Sequence, residues 1–134
     1  MSPETQACGV IGGTRLRLAV GVWGVLVSQV FLYPGVEDVV VALGGDATVS
    51  AGMWFLVAEF AAFVAFASVW GAASDALGRR MPLAAAGAFG GAAGYLVLAA
   101  VPALGLPFAG VLVVRVVGGA ATIGAFSLSI TALA

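Results

Sequence analysis

Apolar residues fall in four long blocks along this chain, each bounded by a short polar interval. A helix needs about 20 apolar residues to cross the roughly 30 Å hydrocarbon core of a bilayer, where backbone polar groups must be satisfied within the segment itself. The blocks meet that length over residues 18–36, 51–73, 82–101 and 107–134. Pro34 lies near the far end of the first. Pro82 opens the third, where a proline suits the first helical turn. The pattern predicts an all-α polytopic membrane protein of four transmembrane helices, preceded by a polar leader over residues 1–14.

Composition strengthens that reading. Hydrophobic residues make up 63% of the chain and charged residues 8%, too few to clothe a soluble core of this length, since ordinary globular domains are about 25% charged. The leader "MSPETQACGVIGGT" lacks the basic start, apolar core and cleavage site of a secretory signal. The first apolar block should therefore stay in the membrane as an anchor. A net charge of −1 gives no basic footprint for nucleic acid. With no His and one Cys, Cys8, neither a metal cluster nor a disulfide framework is expected, and no cofactor. No arrangement of His, Lys or paired carboxylates suggests an enzyme. Deep hydroxyls such as Ser28 and Thr122 read as helix-packing groups.

The charges then orient the spans. Arg15 and Arg17 precede the first, and Arg79 and Arg80 separate the second from the third. The connector after the first span carries Glu37, Asp38 and Asp46 without a base, and "PALGLP" between the third and fourth has no charge. Basic residues favour the cytoplasmic side, so the N-terminus and the Arg79–Arg80 turn are expected inside, in a plasma membrane. Trp54 and Trp70 fall near opposite ends of the second span, where they would serve an interfacial belt or simply pack.

Two charges lie within spans. Glu59 is eight residues from the outer end of the second and Arg115 eight from the outer end of the fourth, about 12 Å deep in each case. Such residues are costly in lipid and face a bundle interior or a water-filled cavity, so the two should pair, either handling protons or substrate or merely setting helix register. A short echo, "GVLVSQV" at 24–30 and "GVLVVRV" at 110–116, agrees at five of seven positions and aligns Gln29 with Arg115. It nominates Gln29 as another polar group near the midplane, in the manner of an inverted repeat. In the third span, "GAFGGAAG" sets Gly87 and Gly91, and Gly90 and Gly94, four apart, a spacing that lets helices approach closely.

The turn "WGAASDALGRRMPL" reads G-x-x-x-D-x-x-G-R-R from Gly71 through Asp75 and Gly78 to Arg79 and Arg80. It resembles the signature loop of the major facilitator superfamily, in the loop where that fold carries it. "RVVGGAATIGAF", with Arg115 followed by Gly118 and Gly119, is similar to the family's intramembrane arginine and small-residue run. The "FLYPGVEDVVVALGGD" exit from the first span is similar in style, so the resemblance covers nearly all of the chain after the leader.

The resemblance implies a secondary transporter that moves a small solute by alternating access, with protons as a potential coupling ion. It implies that Asp75, Arg79 and Arg80 act with Gly71 and Gly78 as a cytoplasmic gate, while Gln29, Glu59 and Arg115 line a pathway. Members have twelve spans, so this chain is expected to be a fragment that lacks the rest of its transporter. Two other readings stay open. A dimeric four-helix multidrug exporter would place its essential carboxylate in the first span, whereas Glu59 is in the second. A non-transporting membrane scaffold has no evident need of two intramembrane charges.

Overall fold

The computed structural model describes the backbone of residues 3–133 and the side chains of residues 13, 15–27, 30 and 34–131. Every regular element among them is helical: α1 (Pro3–Leu32), a 3-10 turn (Tyr33–Gly35), α2 (Val36–Ala42), α3 (Val49–Leu77), α4 (Arg80–Leu104) and α5 (Phe108–Leu133). Three of them, α3, α4 and α5, are long and apolar enough to cross a membrane. With 29 residues, α3 is about 43 Å long at 1.5 Å per residue.

The boundaries depart from the sequence reading in three places. The leader is not set apart, because α1 begins at Pro3 and runs without a break to Leu32. Proline at the first helical position sacrifices no hydrogen bond, and no further proline follows until Pro34. Pro34 then ends α1 in a 3-10 turn, four residues before the predicted end at 36. Finally, the connector after α1 contains the short helix α2, whose Val40 is buried, as is Leu43 just after it.

Short links join the long helices. Thr48 caps α3 by accepting a hydrogen bond from the Ala51 amide at 3.1 Å. At the other end Gly78, with φ +60°, ends α3 in the left-handed conformation, and α4 begins two residues later. Glycine alone adopts that backbone without strain. Gly105 ends α4 in the same way, its amide donating to the Val101 carbonyl.

Helix α5 is central. It packs closely on α4 and on α3 and more lightly on α1, while α3 and α4 scarcely touch. At the end where α2 folds back, Val40, Leu43, Phe55, Leu98, Val101 and Val111 form an apolar cluster. Between α1 and α4, floored by α5, lies a crevice of about 440 Å³ with mostly apolar walls. Large apolar side chains cover the outside: Val64 is 82% exposed and Phe89 78%. A surface of this kind belongs in hydrocarbon, since soluble monomers rarely expose extended apolar patches.

Candidate functional site

The cluster at the middle of the bundle begins with spacing. Phe55 and Glu59 are four residues apart on α3 and so share a face, as do Arg115 and Gly119 on α5. Where these faces meet, Arg115 Nη2 donates to Glu59 Oε2. Both side chains are almost wholly enclosed, Glu59 at 1% exposure and Arg115 at 2%. Gly119 makes the fit possible, since a Cβ there would come within 3.1 Å of Glu59 Cγ and 3.2 Å of the Glu59 carbonyl oxygen.

Aromatic groups complete the enclosure. The guanidinium carbon of Arg115 lies 4.6 Å from the Phe55 ring centre and 5.5 Å from that of Tyr95, on α4. Both are within the reach of a cation–π attraction, which strengthens as water is excluded. Tyr95 donates a long hydrogen bond, 3.4 Å, to Glu59 Oε1. The carboxylate thus accepts from α4 and from α5 while belonging to α3. Tyr95 and Phe55 are absent from the sequence expectation. Phe55 was within reach through its i−4 position to Glu59, and Tyr95 through its place four residues beyond Gly91 on the glycine face of α4.

The glycines of α4 lie on the α5 contact. A Cβ on Gly87 would meet the Ala125 amide nitrogen at 2.5 Å, one on Gly91 the Thr122 hydroxyl at 2.5 Å, and one on Gly94 the Gly118 Cα at 2.9 Å. Gly90 faces the Ala121 methyl, at 2.9 Å from such a Cβ. Thr122 donates to the Gly118 carbonyl one turn back at 2.9 Å, which satisfies its hydroxyl inside the packed face. The Gln29 side chain lies outside the described residues.

The turn residues sit differently from the sequence expectation. Gly71 and Asp75 belong to α3, so the turn proper is only Gly78 and Arg79. Nothing lies within 4 Å of a Cβ built on Gly71, so this glycine does not serve close helix approach in the bundle. Asp75 faces Arg80 rather than Arg79, at 3.6 Å, with both side chains largely exposed. Trp70 also departs from an interfacial role. Its indole Nε1 donates to the Ala120 carbonyl at 2.6 Å and its ring covers Gly124, so it clamps α3 to α5.

An exposed ion pair such as Asp75–Arg80 contributes only about 0–1 kcal/mol. Asp75→Asn is therefore expected to change unfolding stability in micelles by less than about 1 kcal/mol; a larger loss would show that Asp75 has a structural partner beyond Arg80. Compared with protein-family models, with curated proteins and with solved structures, the chain matches none.

Proposed function

We propose that this chain forms the first four membrane-crossing helices of a major-facilitator-like secondary transporter, which moves a small solute across the plasma membrane by alternating access. In this reading α1 crosses the bilayer with α3, α4 and α5. The N-terminus and the Gly78–Arg79 turn face the cytoplasm, where basic residues are favoured. Asp75, Arg79 and Arg80, exposed at the end of the bundle, latch that side against a helix of the remaining transporter.

The observation that carries the proposal is the enclosed Glu59–Arg115 pair. Each charge costs about 2.5–3.5 kcal/mol to place at the centre of a membrane helix. Helix association alone does not require it, because Trp70 on α3 already clamps that helix to Ala120 and Gly124 of α5. A proton arriving on Glu59 removes the charge that holds Arg115 and frees the guanidinium to seek another partner. That gives two arrangements of one cluster, each with its own proton count, as coupling requires.

The aromatic enclosure by Phe55 and Tyr95 favours one rival, a pair that only fixes helix register. Transport by the complete gene product separates the two. Its reading frame past the Ala134 codon is determined first, and an open frame encoding further apolar spans is expected. Proteoliposomes with an imposed proton gradient are then offered a sugar, an amino acid and a lipophilic cation. The gradient should drive accumulation of one of them in the wild type and not in Glu59→Gln. Gradient-driven uptake that survives Glu59→Gln at normal expression sinks the coupling role. A stop codon directly after Ala134 sinks the twelve-span reading and brings forward a four-helix dimer, checked by mass in detergent.

A further inference from the structure

Arg115 has a buried donor that no acceptor meets. Nη2 serves Glu59, while Nε is enclosed and has no protein acceptor. A buried N–H of a charged group is rarely left unmatched, because it has lost its hydration without replacement. Between α3, α4 and α5 lies a void of about 10 Å³ walled by Arg115 itself and by Glu59, Gly94, Tyr95 and Gly118 among others. That is about the smallest volume that admits one water molecule. Its wall is largely apolar, and Glu59, Tyr95 and Arg115 are the residues on it whose side chains carry polar groups.

We propose that this void is a single-water site, with Arg115 Nε–H as its donor, so that water is the fourth member of the Glu59–Arg115–Tyr95 cluster. Tyr95 and Gly91 also line the crevice between α1 and α4. Exchange of the water with the outside therefore runs past the Tyr95 ring, because the apolar cluster of Phe55, Leu98 and Val111 closes the end beyond. The site stands on the buried, unmatched Nε and the void that Arg115 lines, and holds whether or not the chain moves a solute.

The test is solid-state NMR of the 134-residue chain, ¹⁵N-labelled at arginine and reconstituted in lipid bilayers, with magnetisation transferred from water to the arginine Nε. The Arg115 resonance is assigned by its loss in Arg115→Lys. The exposed Arg15, Arg17, Arg79 and Arg80 supply positive controls, and the helical amide of Arg115 the negative one. Transfer to Arg115 Nε is expected, well above that to its own amide. Gly118→Ala should abolish it, since a methyl there has its nearest neighbour, Gly94 Cα, at 3.6 Å and fits without moving backbone while occupying the void. No transfer in the wild type overturns the proposal, as does undiminished transfer in folded Gly118→Ala. Should Gly118→Ala not fold, the wild-type measurement decides alone.

Discussion

Arg115→Met is expected to lower the unfolding free energy by about 3–5 kcal/mol, which is the usual result of removing one partner of a buried ion pair. Glu59 would remain buried, at 1% exposure in the native packing, with its main donor gone and the long Tyr95 bond a weak replacement. The lower end of the range is the better expectation in lipid, because the unfolded chain there also finds partners for its polar groups. Glu59→Leu should lose a similar amount, leaving a buried guanidinium over two rings. The double variant Glu59→Leu/Arg115→Met should recover most of the loss, since well-packed apolar replacements of a buried pair are often neutral or stabilising. Denaturant titration of all four proteins in mixed micelles closes the cycle and isolates the pair term. Losses that simply add would show that Glu59 and Arg115 contribute independently and that the pairing seen between α3 and α5 has little energetic weight.

The pair was legible in the sequence because both residues interrupt apolar blocks at the same distance from the outer ends. Depth follows from counting along a helix, which needs no tertiary information. The partner does not. Tyr95 continues the Gly87–Gly91 stripe at the same spacing, but that stripe names no facing helix, and only the packing of α4 on α5 brings Tyr95 to Glu59. Trp70 looked interfacial by position, but the small residues Ala120 and Gly124 on the facing helix draw it into the bundle. The extent of α1 and the presence of α2 were missed for a local reason. Polar composition marked the leader and the connector as breaks, but no proline lies between Pro3 and Pro34 or between Val36 and Ala42 to stop a helix.

Gly87→Ala is expected to destabilise the bundle by about 1–3 kcal/mol, the range for overpacking a close interface, although alanine is the better helix former by about 1 kcal/mol. Three contacts decide the sign. The added methyl would meet the Ala125 nitrogen at 2.5 Å, the Ala121 oxygen at 2.8 Å and the Gly124 carbonyl carbon at 3.0 Å, all of them backbone. No rotamer change can relieve them, so α4 must move away from α5. Gly91→Ala meets the Thr122 hydroxyl first, a group that can rotate, and should lose less. Gly24→Ala on α1 has nothing within 4 Å and should match or exceed the wild type, as helix propensity alone predicts. The order Gly24→Ala, Gly91→Ala, Gly87→Ala in falling denaturant midpoint is the result to check. A Gly87→Ala protein as stable as the Gly24→Ala one would mean that α4 and α5 do not approach as closely as the structure shows. The consequence would reach beyond packing, because Tyr95 is two turns further along α4 and touches Glu59 only while that approach is kept.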